Sequence, residues 1–262
     1  MTGMSDLAPA VLALLALAAL TAGFVDAVVG GGGLVQLPAL LLGLPGASPV
    51  QVLATNKIAS VCGTAAASAT YYRRIRPDPR TFGPLMLLAL AGAFTGALAA
   101  SHIPREAFEP IVLVALVVVG AYVLLRPELG EDAELRFQGH RHLVAAMVVG
   151  FAIGLYDGVL GPGTGSFFVF ALVGLLGYDF LQASAKARLA NLATNLGALL
   201  LFIPSGAVLW DVGLLMGACN LVGGYLGART AVARGARFVR AFFIVVVGAF
   251  VVRIGGGVVG LW

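Results

Sequence analysis

Twice in this chain a long apolar run is broken by one acid and, four residues later, by a cluster of glycines: Asp26 with Gly30 to Gly33, and Asp157 with Gly161, Gly163 and Gly165. A cation follows each acid at the same interval, since 57 − 26 = 31 for Lys57 and 188 − 157 = 31 for Arg188. Glycine clusters break helices, and an ionisable group inside apolar sequence costs about 2.5 to 3.5 kcal/mol on insertion scales. A duplicated motif of this kind constrains the fold to two related halves, each with a helix interrupted inside the membrane around charged groups.

The surrounding composition requires a membrane. Of 262 residues 60% are hydrophobic and only 11% charged, with mean hydropathy +1.00, against about 25% charged in soluble domains. The apolar runs are continuous rather than alternating, so they read as helices and not as barrel strands, and the 36 glycines spread among them suit closely packed helices. The expected fold is an all-α polytopic membrane protein of two inverted repeats. Each repeat has about five helical segments, one of them short or broken.

In the first half the segments are Ala8 to Val29, Leu34 to Leu44, Val50 to Tyr72, Phe82 to Ser101 and Phe108 to Leu125. In the second they are Leu143 to Leu160, Ser166 to Leu176, Leu181 to Ile203, Val212 to Gly227 and Phe238 to Val259. The second member of each half is about half the length a ~30 Å hydrocarbon core requires, and it directly follows the glycines. The domains are therefore a first transmembrane repeat over 1–126, a polar cytoplasmic linker over 127–142 and a second transmembrane repeat over 143–262.

Orientation follows the basic residues. Arg73, Arg74, Arg76 and Arg80 cluster after the third segment, and Arg229, Arg234, Arg237 and Arg240 between the ninth and tenth, which predicts two cytoplasmic loops. The loop equivalent to the first cluster, Pro204 to Asp211, has no Lys or Arg, so equivalent loops lie on opposite faces. Ten crossings place every basic cluster inside and both termini outside; eight crossings misplace one. The net charge of +4 is accounted for by these loops, and no nucleic-acid partner is implied.

Few charges remain in the apolar segments: Asp26, Lys57, Asp157, Lys186 and Arg188, including both lysines of the chain. A purely structural reading pairs them within halves, Asp26 with Lys57 and Asp157 with Arg188 or Lys186. The functional reading assigns Lys57 and Arg188 to an anion, with Lys186 as a further cation. On a helix Arg188, Asn191 and Asn195 share one face, as do Lys57, Ser60 and Thr64. Thr55, Asn56, Thr164 and Ser166 add neutral donors. Gly31, Gly32, Gly33, Gly163 and Gly165 open the backbone so that half-helix N-termini present N–H groups. Asp26 and Asp157 carry coupling protons or anchor the cations.

Other chemistries lack their residues. The glycine clusters are not followed by Lys-Ser or Lys-Thr and sit in no βαβ unit, which excludes a nucleotide loop. His102, His140 and His142 fall in predicted loops, and Cys62 and Cys219 lie one per half without ligand spacing, reading as small buried hydrophobes. Phe167, Phe168 and Phe170 read as lipid-facing or packing residues. No metal site, catalytic residue or cofactor is expected.

These stretches, Asp26 to Gly33 with Leu37 to Leu40, Ala54 to Lys57, Asp157 to Gly165 and Asn191 to Asn195, resemble the sulfite exporter TauE/SafE family of membrane permeases over nearly the whole chain. The resemblance implies secondary transport of small sulfur-containing anions such as sulfite, thiosulfate or organosulfonates like sulfoacetate, ion- or proton-coupled by alternating access, in the bacterial cytoplasmic (inner) membrane. The family pattern often has a lysine where this chain has Arg188, which makes bidentate coordination available there. An anion channel is the alternative, and a metal-ion permease a further one. The expected partners are a small anionic substrate and the lipid bilayer, as monomer or homodimer.

Overall fold

The computed structural model describes residues 7–99 and 133–258. Among the described residues there are eight helices and no strand: α1 Pro9–Val29, α2 Gly32–Gly43, α3 Pro49–Ile75, α4 Pro79–Ala99, α5 Gly139–Val159, α6 Thr164–Gly174, α7 Phe180–Phe202 and α8 Trp210–Val258. The segment Phe108 to Leu125 and both chain ends lie outside them.

Local chemistry sets the boundaries. Ser48 caps α3 in a reciprocal box, its hydroxyl accepting from Gln51 N at 3.3 Å while Gln51 Oε1 accepts from Ser48 N at 2.9 Å. Asp179 caps α7 by accepting from the N–H groups of Leu181 and Gln182. Gly30 at φ 91° ends α1, and Gly161 at φ 90° follows α5. A side chain at either position would be strained. Caps and breaks keep one sequence offset, since 179 − 48 = 161 − 30 = 131. The short α2 and α6, of 12 and 11 residues, begin directly after these breaks.

α1, α4 and α5 are each 21 residues of apolar helix, long enough to cross a membrane. α3 and α7 are comparable in length but carry buried polar and charged groups, and they pack on each other at the centre. α1 packs on α8, as α5 packs on α4. Glycines make both contacts close. A Cβ on Gly92 or Gly96 would fall on the carbonyl of Phe151 or Leu155, and a Cβ on Gly223 or Gly227 on that of Leu20 or Phe24. The same offset relates these contacts: 223 − 92 = 227 − 96 = 151 − 20 = 155 − 24 = 131. Bare backbone at matched positions lets helices approach where lipid supplies no hydrophobic drive between them.

The sequence-predicted segments α1 to α7 match within a few residues. Two differences have local causes. The expected loop bearing Arg229, Arg234, Arg237 and Arg240 is helix, so the ninth and tenth segments form one run, broken only at Gly235 with φ 77° and ψ −173°. That backbone state is essentially glycine-only, so one residue turns the chain where a polar loop is expected. α5 starts four residues before Leu143, because Gly139 to His142 form its first turn. His142 is there buried rather than in a loop, 2.7 Å from the Tyr178 hydroxyl.

Candidate functional site at the paired helix breaks

The two breaks meet. Ser166 N donates to Gly30 O at 3.0 Å and the Ser166 hydroxyl to Val29 O at 2.9 Å. A Cβ on Gly30 would collide with the backbone of Gly165 and Ser166. Glycine is required here because backbone lies against backbone. The tyrosines beside the breaks brace them, Tyr71 donating to Ala27 O at 3.1 Å and Tyr156 to Pro162 O at 2.6 Å.

Around this contact the charged residues pair across the halves. Lys57 Nζ donates to Asp157 Oδ2 at 2.5 Å, and Arg188 Nη1 stands 3.7 Å from Asp26 Oδ2. This corrects the within-half pairing that spacing suggested. Equal spacing in the two halves permits either arrangement, and juxtaposing the breaks brings each acid to the other half's cation.

The pairs differ in completeness. Asp157 Oδ1 also accepts from the Thr164 hydroxyl at 2.7 Å, and Lys57 and Asp157 are both buried. Asp26 accepts from Gly32 N at 3.4 Å and from Asn191 Nδ2 at 3.2 Å. Arg188 is 0% exposed, yet only its Nη2 donates, to Gly165 O at 3.3 Å; its Nε and Nη1 have no hydrogen-bond partner. Buried polar groups are seldom left unsatisfied, and a guanidinium offers five donors in a fork suited to an oxyanion.

Asp26, Gly30, Gly33, Asn56, Lys57, Ser60, Asp157, Gly161, Gly163, Thr164, Gly165, Asn191 and Asn195 enclose a cavity of about 20 Å³. That is room for about one water. Most of the residues expected from sequence thus converge on one point; Arg188 and Ser166 stand behind the lining, Arg188 against Asp26 and Gly165 and Ser166 against Gly30. Thr64 stands behind it, accepting from Asn195 Nδ2 at 3.4 Å. Gly31 caps α2, and Gly32 meets the site through its N–H. Thr55 points elsewhere, its hydroxyl accepting from Leu209 N at 3.1 Å. Lys186 also points away: two residues from Arg188 is about 200° around a helix, so the two cations face opposite sides of α7. Its Nζ lies 4.1 Å above the Tyr178 ring and donates to Gln182. Phe168 is fully buried and Phe167 packs edge-on against Tyr156, so both are packing residues.

Sequence reasoning missed a second polar cluster. Asn220 of α8 donates to Ala19 O at 3.1 Å and to Gln36 Oε1 at 2.7 Å, tying α1, α2 and α8 together beside Gly63 of α3. The signal was available, as both are uncharged polar residues inside apolar runs.

The family model for the sulfite exporter TauE/SafE matches residues 15–254. The chain is 39% identical over 96% of its length to a probable membrane transporter protein, ORF9, of Sinorhizobium sp., covering 95% of that protein. It is 35% identical to the probable membrane transporter protein YfcA of Escherichia coli strain K12, over 91% of this chain and 87% of that one, and 33% identical to a probable membrane transporter protein of Haemophilus influenzae, over 92% of each. No solved structure matches the chain. With paired helix breaks around buried charges and a family match across both halves, this chain is a multi-pass membrane protein that belongs to the sulfite exporter TauE/SafE family of membrane transporters.

Proposed function

We propose that the chain is a secondary transporter of small sulfur-containing anions, such as sulfite, thiosulfate or an organosulfonate like sulfoacetate, working by alternating access between two inverted repeats. The observation that carries this reading is the buried Arg188 guanidinium with two unfilled donors, beside Lys57, at the junction of the two helix breaks. Both cations are held by carboxylates, which present the same oxygen chemistry as a sulfonate or sulfite. Asp157 and Asp26 thereby occupy the positions of substrate oxygens. The constant sequence offset of caps, breaks and glycine contacts supports the repeats, and the opposed basic loops support their inversion.

The cavity admits about one water, so an anion enters only when the breaks separate and the aspartates release the cations. Protonating an aspartate does this directly: the neutral acid no longer competes, and the anion takes its place. Proton and anion then load together. Asn56, Ser60, Asn191 and Asn195 orient the anion through neutral hydrogen bonds, with Thr164 and Ser166 at the second break. A cytoplasmic linker over 127–142, both termini outside and an inner-membrane location complete the reading.

The test is uptake into proteoliposomes of radiolabelled sulfite, thiosulfate and sulfoacetate, with and without an inward proton gradient. Saturable uptake of one sulfur anion that rises with the gradient and is lost in Lys57→Ala supports it; full transport by Lys57→Ala removes Lys57 from the site. Conductance without saturation favours an anion channel.

A further inference from the structure

A second, larger cavity of about 720 Å³ lies away from the helix breaks, where the two halves and the linker meet. The α3–α4 connection contributes Arg76 and Asp78 and the first turn of α4 Arg80; α5 contributes His142, and α7 with its preceding turn contributes Lys186 and Tyr178. The stretch before α5 closes one wall, pairing with the turn after α6 through Glu134 N to Gly177 O at 2.8 Å and Arg136 N to Leu176 O at 3.1 Å.

The charge here is unbalanced. Lys186 is 2% exposed, and among the described residues no carboxylate lies within ion-pair distance of it. Gln182 Oε1 and the Tyr178 ring face hold its ammonium through neutral contacts alone, and Tyr178 is fixed in turn by His142. Arg76, Arg80 and Lys186 line the space against one acid, Asp78. Asp179 and Asp78 act on Lys186 only from beyond ion-pair distance; a buried ammonium without a direct counter-charge is costly, so its retention calls for a closer partner.

The other half shows that the fold does not need it. The offset that relates the caps maps Lys186, Tyr178, Thr81, Asp78 and His142 onto Thr55, Ala47, Val212, Leu209 and Val11, since 186 − 55 = 178 − 47 = 212 − 81 = 209 − 78 = 142 − 11 = 131. There Val11, Ala47, Leu209 and Val212 pack together in an apolar cluster, and the Thr55 hydroxyl takes the Leu209 N–H. The equivalent place is an apolar cluster without a charged side chain. The basic cavity is therefore an addition at one end and not a demand of the architecture.

We infer that this cavity is a separate anion-binding antechamber, in which Lys186, Arg76 and Arg80 take a soluble oxyanion of the sulfonate or carboxylate class with Tyr178 against its apolar part. The inference goes beyond the transport reading and needs no transport to be tested. The full chain in lipid nanodiscs carries Gln138→Cys on the cavity wall, and labelling is corrected for that of the unsubstituted protein. Rates are measured with an anionic thiosulfonate reagent and with its quaternary ammonium counterpart.

The anionic reagent is expected to react about tenfold faster, as a focused positive field raises local anion concentration. Sulfate or sulfoacetate at millimolar concentration is expected to slow both reagents severalfold more than chloride at equal ionic strength. Lys186→Gln and the rim variant Arg80→Gln, whose exposed side chain leaves folding intact, both lose the preference and the protection, while Lys57→Ala keeps them. Equal reagent rates, protection no greater than with chloride, or protection that survives both cavity variants overturns the inference. Protection abolished by Lys57→Ala overturns it as well, because the anion then belongs to the helix-break site.

Discussion

Lys57 and Arg188 hold equivalent places in the two halves, yet Lys57 closes on Asp157 at 2.5 Å with Thr164 on the second carboxylate oxygen, whereas Arg188 stands 3.7 Å from Asp26 with two donors unfilled. One half supplies the cation of a completed salt bridge and the other that of an incomplete one. Lysine is a compact point charge that one close carboxylate oxygen neutralises; arginine is a planar fork of five donors that one carboxylate at 3.7 Å leaves largely unfilled. The lysine pair joins α3 to α5 by a direct hydrogen bond, whereas the arginine keeps donors that no group among the described residues fills.

The sharpest way to break that comparison is to delete each acid. Asp157→Ala strands a buried ammonium and is expected to cost about 3 to 5 kcal/mol, seen as a large drop in melting temperature in detergent. Asp26→Ala also strands a buried cation, Arg188, but is expected to cost less, because the contact it removes is a 3.7 Å pair without a hydrogen bond and Asp26 keeps 14% side-chain exposure. Equal losses refute the asymmetry.

A double-mutant cycle sharpens it further. Lys57→Met with Asp157→Leu is expected to show a coupling of about 1 to 3 kcal/mol, and Lys57→Met with Asp26→Leu a coupling near zero. A large value for the second cycle would restore the within-half pairing.

Next in size is the glycine register. Gly154→Val and Gly23→Val press a side chain onto the carbonyls of Ala89 and Asn220, at positions related by the same offset, and both are expected to destabilise by about 1 to 3 kcal/mol or more. Gly83→Ala and Gly248→Ala, which meet nothing within 4 Å, serve as controls in the same thermal assay. Unequal effects of the matched pair would show that the halves pack differently.

The smallest effect concerns pH. Because protonated aspartate cedes its cation, anion binding is expected to strengthen as pH falls, by up to about tenfold per pH unit for one coupled proton. Asp26→Asn mimics the protonated acid; its affinity is expected to be higher and flatter with pH, measured by titrating sulfate or sulfoacetate. A variant that keeps the wild-type slope excludes Asp26 as the coupling group.

How far the sequence could be read follows from which physics is local. The spans and the two half-helices rest on composition and glycine clusters, both visible in a window of residues. Helical spacing put Lys57 and Ser60 on one face of α3, and Arg188, Asn191 and Asn195 on one face of α7. Three features escaped that reading. The helical arginine stretch before Gly235 looks like a polar loop because charge density is a poor guide where one backbone angle decides. Lys186 looks like a site cation until it is set on the face of α7 opposite to Arg188. Asn220 and Gln36 meet across 184 residues of chain, a distance no local pattern spans.

The sequence by itself determined that this chain lies in a membrane, that its motifs are duplicated, and that cations and glycine breaks are its costly core features, because apolar length and repeated spacing are properties of the chain alone. Only the tertiary structure decided which acid meets which cation, that places related by the same offset hold an apolar cluster in one case and a basic cavity in the other, and that the central site has room for little more than one water. Those outcomes depend on how two similar halves are placed against each other, and equal spacings within each half are compatible with more than one placement.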